Sequence, residues 1–359
     1  MPRDKRLSLE QSKTIQTARV LGVATAIPVV LADDELVKVV SVVFHDTGHD
    51  DLIPPPILKK VKSIDGYYDL PMEWFEELVG LSVDFTALFL VGTSNIPDFV
   101  TYFGCLCSLH KRRKKYARIL AAQPLPTMLQ VSPRSLLEFG IIATPALASW
   151  ITWRKWFFDI DNRAGQETGY LFEPILASAL GGTPFSAKKS PVKRIKDGHK
   201  ARQVDCIVGT TAYEFKLRVT IAASGQGRFA EELDFAADCE ASGFTPVLMV
   251  LDPTPSSRLT DLAAEFRKYG GDAYIGDEAW QHIEAEGGKT MATFIEKYVR
   301  RPIEQIDKHA DELLNLAISA AEDKSTFSIS MGNRKQSHQW EIARREDPSL
   351  ASGSEDEPE

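Results

Sequence analysis

"RQVDCIVGTTAYEFKLRV", residues 202–219, is the stretch that decides how this chain folds. Two short apolar runs flank Gly209-Thr210-Thr211, residue types that suit a tight turn. Side chains alternate along a strand, so the runs read as a hairpin. Tyr213, Phe215, Leu217, Val219 and Ile221 share one face of the second strand; Glu214, Lys216, Arg218 and Thr220 share the other. In the first strand Val204, Cys206 and Val208 share a face, which leaves Asp205 and Ile207 opposite. If both apolar faces meet one core, an even-numbered residue must lie across from an odd-numbered one, because a one-residue slip exposes one strand's apolar set. A two-residue loop, Thr210-Thr211, then sets Asp205 across from Lys216; a four-residue loop sets it across from Glu214. In either register Asp205, Glu214 and Lys216 converge on a non-core face.

Two carboxylates at that range repel each other unless a cation sits between them. Hard oxygen ligands with an open coordination sphere suit Mg²⁺, which takes the rest of its shell from water and substrate phosphate. A lysine one pleat away can orient or help deprotonate an attacking water, or neutralise charge at phosphorus. A phosphodiester is the substrate that needs both parts.

Around the hairpin the chain reads as a mixed α/β sheet. "QETGYLFEPILASALGG" (166–182) predicts a helix closed by a glycine pair, starting or kinking at Pro174. "GRFAEELDFAADCEASG" (227–243) is an amphipathic helix with Phe229, Leu233, Ala236 and Ala237 on one side. "TPVLMVLD" (245–252) reads as a strand buried on both faces. Helix, short strand and helix follow, and a long helix over about 289–323 is expected to close the fold. Residues 1–150 read as mainly helical, a region suited to DNA recognition or dimerisation. Residues 151–325 form the expected catalytic domain, and 326–359 an acidic disordered tail. Trp150, Trp153 and Phe157 lie on one helical face, a stripe that reads as core.

The 359 residues suffice for a sizeable core, and 43% hydrophobic with 26% charged content is ordinary for a globular protein. None of the four cysteines belongs to a C-x-x-C pair, which argues against a disulfide framework or a zinc site. The start is charged and lacks a cleavable apolar segment, and the longest uncharged run, 139–153, is too short to span a bilayer. These features predict a cytoplasmic protein.

The net charge of -8 disguises the chain's basic patches. Residues 341–359 alone carry seven acids against two arginines. "SAKKSPVKRIKDGHKAR" (186–202) carries seven Lys or Arg against one Asp, and "KRRKKYAR" (111–118) carries six more. Local patches govern phosphate contact more than the whole-chain sum does. Lys188, Lys189, Lys193, Arg194 and Arg202 are therefore candidate DNA contacts. Gln226 and Arg228 join them, because backbone N–H groups at a helix start beside such side chains suit a phosphate.

D-x(8)-E-x-K on a hairpin resembles the active site of the PD-(D/E)XK nucleases. A second E-x-K, Glu322-Asp323-Lys324, falls in the expected long helix with no strand Asp before it. The wider set "ETGYLFEPILASALGG", "SAKKSPVKR", "RQVDC", "YEFK" and "SGQGRF…EELDFAADC…TPVLMVLDP" is similar to the ApaLI-like type II restriction endonucleases over roughly residues 150–300. The resemblance implies a restriction-endonuclease-like core. It also implies a homodimer cutting duplex DNA at a short palindrome with Mg²⁺, and a companion DNA methyltransferase. Asp205 and Glu214 would ligate the metal, Lys216 would be the catalytic lysine, and Glu173 the supporting helix acid. Val204 stands where the motif has Pro.

The sequence also admits two rival readings. Gly225, Gly227 and Ala230 give G-x-G-x-x-A, a dinucleotide-binding fingerprint after a strand. Against it, Glu214, Lys216 and Arg218 sit in a strand that a Rossmann sheet would bury on both faces. Alternatively, the charges form a structural cluster in a DNA-binding protein without catalysis.

Overall fold

A computed structural model describes residues 7–22, 27–77, 80, 82–198, 200–217, 225–322, 325–332 and 337–343. The central sheet has five strands: β1 (Thr183–Phe185), β2 (Val204–Val208), β3 (Thr211–Lys216), β4 (Thr245–Val250) and β5 (Asp272–Ile275). They lie in the order β1-β2-β3-β4-β5. β1, β2 and β3 pair antiparallel, whereas β3, β4 and β5 pair parallel. This is the mixed sheet expected from the alternation of a hairpin with strand–helix–strand units.

Among the helices, α1 (Leu9–Arg19), α2 (Asp33–Asp46), α3 (Phe85–Asn95) and α4 (Phe99–Ala122) build the N-terminal region. α5 (Thr144–Ala179) leads into the sheet, and α6 (Gly225–Ala241) and α7 (Ser257–Lys268) make the parallel crossovers. α8 (Asp277–Glu286) and α9 (Gly288–Ile295) follow β5.

Both sheet faces are covered. Cys206, Tyr213, Phe215, Val247 and Met249 enter one core with Ile175 of α5, Ile283 of α8 and Phe294 of α9. That core continues through Val40 of α2 and Phe103 of α4, so the N-terminal helices pack against the half of the chain that carries the sheet. On the opposite face Ala212, Leu248 and Val250 meet Phe235, Ala236 and Cys239 of α6 and Leu262 and Phe266 of α7. β4 thus contributes apolar residues to both sides, as its uninterrupted composition predicts.

Three expectations are corrected. Helix 166–182 does not begin at Pro174: α5 is continuous from Thr144, with Pro174 inside it. The glycine pair does close it. Gly181 (φ +68°) donates its N–H to the Ser178 carbonyl, and the Gly182 N–H goes to the Ala177 carbonyl. This pairing satisfies two otherwise orphaned carbonyls. The long C-terminal helix is present only in its first part, from Gly288 to Asp307, and stops well short of residue 323. A π-turn (Glu296–Arg300) and a short helix (Arg301–Asp307) follow α9, and the chain then turns to strand.

The third correction concerns residues from 326 onward. β6 (Asn315–Ala320), β7 (Thr326–Gly332) and β8 (Ser337–Ala343) form an antiparallel sheet in the order β8-β7-β6. Phe327 and Ile329 alternate with serines, and Ile329 and Ile342 bury against Trp156. A short period-two run inside a polar stretch carries this signal, and the acidity of the tail obscures it. The aromatic stripe divides accordingly: Trp153 packs on Phe327 with centroids 5.6 Å apart, while Trp150 is half exposed. Among the described residues no helix is long and apolar enough to cross a membrane.

Candidate active site

The hairpin register sets the site. Cys206 pairs with Tyr213, Ile207 with Ala212 and Val208 with Thr211. Gly209-Thr210, rather than Thr210-Thr211, forms the two-residue turn, and Gly209 takes φ +57°, where glycine has no steric penalty. Carried one pair further, this register sets Asp205 opposite Glu214. Even-numbered residues do pair with odd-numbered ones, and Asp205 meets Glu214 as in the second of the two expected registers, through a two-residue turn one position earlier than Thr210-Thr211. The charged face is also no bare surface. It borders the second core, between the strands of the hairpin and α6. There a cleft of about 210 Å³ is lined by Arg194, Gln203, Asp205, Glu214, Lys216 and Glu232 among others.

Each acid is held differently. Asp205 is buried, and its Oδ2 accepts the Phe215 N–H at 2.8 Å. Glu214 Oε1 lies 2.7 Å from Lys216 Nζ, a bonded pair within one strand face. Glu173 approaches from α5, fixed by the way α5 meets β2. A Cβ on Gly182 would lie 2.2 Å from Cys206 Sγ, so only glycine allows that close approach. One turn back from Glu173, Gly169 leaves room for the carboxylate, since a Cβ there would lie 3.2 Å from Glu173 Oε1.

The electrostatics show too little positive charge for so many carboxylates. Burial, then Glu214, pushes the Glu173 carboxyl up to about 7 against the opposing pull of Lys216. Burial, Glu214 and Glu173 push Asp205 well above the usual carboxylate range. Burial alone would lower Lys216, yet Glu214, Asp205 and Glu232 outweigh it and hold the ammonium firmly charged. One lysine thus faces Glu173, Asp205, Glu214 and Glu232. Among the described residues no group of three or more His, Cys, Asp or Glu is arranged to hold a metal, so a divalent cation here would take Asp205 and Glu214 as hard oxygen donors and complete its shell from water and phosphate.

The basic segments behave differently from one another. Lys188, Lys189 and Lys193 are exposed, and the Lys193 ammonium donates to the Ser190 carbonyl at 2.9 Å. Arg194 lies 3.7 Å from Glu231 at the cleft edge. Arg202 is buried, bonded to Asp238 at 2.6 Å and to the Glu231 carbonyl, with its guanidinium over the Phe235 ring. It fastens the entry to β2 onto α6 and lines the cleft wall from there, whereas Lys188 and Lys189 stand exposed on the surface. Gln226 and Arg228 open α6, but their side chains lie outside the described residues, as does Arg218.

The stretch 111–116 is turned inward, while Arg118 at its end is exposed. Lys111 donates to the Thr17 and Val20 carbonyls, Arg112 pairs with Glu167 at 2.7 Å, and Lys114 pairs with Glu35. These cations tie α4 to its neighbours. Glu167, the other acid on α5, is buried against Arg112 and Arg163 and takes no part in the cleft. Glu322 is not helical: it follows β6 in the turn before β7, and Asp323 and Lys324 lie outside the described residues. That copy of the motif has the wrong context for a site.

Sequence reasoning missed Glu232, whose Oε1 lies 3.5 Å from Lys216 Nζ. The signal was available. Glu232 is three residues after Phe229 and four before Ala236, an acid on the helix strip that faces the sheet.

Comparison with known proteins gives a consistent result. Residues 86–300 match the family described as ApaLI-like restriction endonuclease. The Type II restriction enzyme ApaLI of Acetobacter pasteurianus is 46% identical over 376 aligned positions, covering 99% of this chain and 99% of that protein. No solved structure matches the chain significantly.

Proposed function

This chain belongs to the ApaLI-like restriction endonuclease family, and from that premise we propose that it cleaves duplex DNA at a short palindromic site with Mg²⁺, using Asp205, Glu214 and Lys216. The observation that carries the reading is the hairpin register, which brings two carboxylates and a charged lysine to one cleft. A dinucleotide-binding reading does not suit a family of endonucleases or a strand whose Glu214 and Lys216 line that cleft.

Asp205 and Glu214 would hold the cation. The Phe215 N–H fixes one oxygen of Asp205 and leaves the other for ligation. Mg²⁺, when bound, supplies neutralisation of the phosphate and activation of the attacking water. Lys216, kept as an ammonium, donates to an oxygen of the reacting phosphate and offsets the charge that grows there. Glu173, with its raised proton affinity, supports the site from α5, either as a ligand through water or as a local proton acceptor.

One chain carries one such set, so two copies related by the dyad of a palindrome would cut both strands. In support, Leu129, Leu137 and Ile141 are 91%, 91% and 81% exposed, apolar surface that a second copy would cover. Sedimentation giving a monomer on cognate duplex would remove the dimer from the reading. The N-terminal helices would contribute recognition and dimerisation, and a methyltransferase of the same specificity would protect cytoplasmic host DNA. The deciding experiment is digestion of a sequenced plasmid with Mg²⁺ and mapping of the ends. Discrete ends at one palindrome support the proposal. Specific binding without cleavage would favour a DNA-binding protein with a structural charge cluster.

Two further outcomes are expected. Glu173→Ala should lower Mg²⁺-dependent cleavage by roughly 10- to 100-fold, the scale of outer partners at metal sites. Glu167→Ala should instead lower thermal stability, because it removes the buried carboxylate on which the half-buried Arg112 and Arg163 both converge. Cleavage lost by folded Glu167→Ala alone would mean that the wrong helix acid serves the site. Reversing the charge of Lys193 and Arg194 together should weaken binding to all DNA sequences. It should flatten the salt dependence of affinity by roughly one to two units of slope. An unchanged slope would make these residues a solvated loop.

A further inference from the structure

Glu232 sits where a purely structural carboxylate is hard to explain. It lies on the strip of α6 that faces the sheet, next to Phe235 and Ala236 of the second core. Its Oε1 is 3.5 Å from Lys216 Nζ, beyond a good hydrogen bond, and its Oε2 is buried without a partner among the described residues. A buried carboxylate oxygen left unpaired costs stability, so the arrangement needs another reason to exist. The nearby arginines do not supply it. Arg202 is bonded to Asp238 and the Glu231 carbonyl, and Arg194 lies beside Glu231.

The lysine's other partner gives the reason. Lys216 Nζ rests on Glu214 Oε1 at 2.7 Å, and Glu214 is one of the two carboxylates proposed to hold the cation. That oxygen cannot fully serve a cation and the ammonium together. When Glu214 turns to a cation, Lys216 loses its closest counter-charge and its four-carbon stem is free to swing. Glu232 is already within 1 Å of bonding distance of the same ammonium.

We infer that Glu232 is a positioning residue: it takes over the Lys216 ammonium as Glu214 engages the cation, and so aims the lysine at the reacting phosphate. No covalent step is involved; a single ion pair exchanges partners. The inference rests on the proposed roles of Glu214 and Lys216, and it assigns Glu232 no contact with substrate.

The test is a double-mutant cycle on the full-length protein, using single-turnover cleavage of a cognate duplex across a Mg²⁺ titration. Glu232→Gln keeps the side chain's shape and removes its charge. It is expected to slow cleavage roughly 10- to 100-fold at saturating Mg²⁺, with the half-saturating Mg²⁺ concentration changed less than about twofold. In a Lys216→Ala background the same substitution is expected to cost nothing further, because its effect travels through the lysine. Glu232→Asp, which keeps the charge on a shorter stem, should recover part of the rate. If Glu232→Gln lowers the thermal midpoint enough to spoil the assay, the Asp variant is carried through the same cycle.

An unchanged rate overturns the inference. So does an equal loss with and without Lys216, which would give Glu232 an independent role. A raised Mg²⁺ requirement in both backgrounds would make Glu232 a ligand and overturn it too. The parent reading fails separately, by Lys216→Ala cutting at the wild-type rate.

Discussion

Asp205→Asn is expected to abolish Mg²⁺-dependent cleavage while leaving specific DNA binding in Ca²⁺ or EDTA intact. The amide oxygen can still accept the Phe215 N–H that holds this side chain, so the hairpin keeps its geometry. What is lost is the negative charge, without which the remaining donors compete poorly for a hard cation. A stability measurement accompanies the activity assay. The folded protein holds the Asp205 proton well above the usual carboxylate range, through burial, Glu214 and Glu173. Ionisation therefore opposes folding. Below the ordinary carboxylate range both folded and unfolded chains are protonated and the penalty is absent; it grows as pH rises toward the raised value. Metal-free Asp205→Asn should therefore unfold at the same or a higher temperature than wild type at neutral pH, the difference shrinking toward pH 4. Full cleavage by this variant would remove Asp205 from metal ligation. A large loss of stability would make it a structural residue. Glu214→Ala should be equally inactive, since the register sets it across from Asp205.

Lys216→Ala is expected to slow cleavage by roughly 10²- to 10³-fold, the scale of a single charge-stabilising donor at a reacting centre. DNA affinity measured without Mg²⁺ should change far less. The ammonium lies inside the cleft against Glu214 rather than on the outer basic surface with Lys188 and Lys189. Lys216→Arg keeps the charge but replaces a compact point donor with a planar fork, and should not restore the rate. An affinity loss as large as the rate loss would turn Lys216 into a phosphate-binding residue remote from the chemistry.

The site was legible in the sequence to the extent that local periodicity determines it. Asp205, Glu214 and Lys216 follow from a period-two pattern interrupted by charge, and parity alone brings them to one face. The closing glycines of α5, the amphipathic α6 and the doubly buried β4 follow from equally local rules. The turn did not, because Gly209-Thr210 and Thr210-Thr211 are both acceptable two-residue loops; the pairing of β3 with β4 also enters the choice of register. The fate of cations was not legible either. "KRRKKYAR" reads as surface, but Lys111, Arg112 and Lys114 find carbonyls and carboxylates on distant segments, Thr17, Glu167 and Glu35. Arg202 was lost to Asp238 in the same way. Such pairings depend on tertiary neighbours that spacing along the chain does not contain. The C-terminal sheet was hidden for another reason: its few apolar residues, such as Phe327 and Ile329 alternating with serines in β7, lie inside a polar stretch. Glu232 lay in plain view as an acid on an apolar strip, and its meaning appears only with Lys216 across from it.

Anomalous scattering from Mn²⁺ in a crystal of the protein bound to its cognate duplex tests the central claim most directly. The account predicts a peak within ~2.0–2.6 Å of oxygens of both Asp205 and Glu214, beside a backbone phosphate, with Lys216 Nζ turned toward that phosphate. Manganese bound elsewhere, with the 205–216 hairpin facing no phosphate, would contradict it.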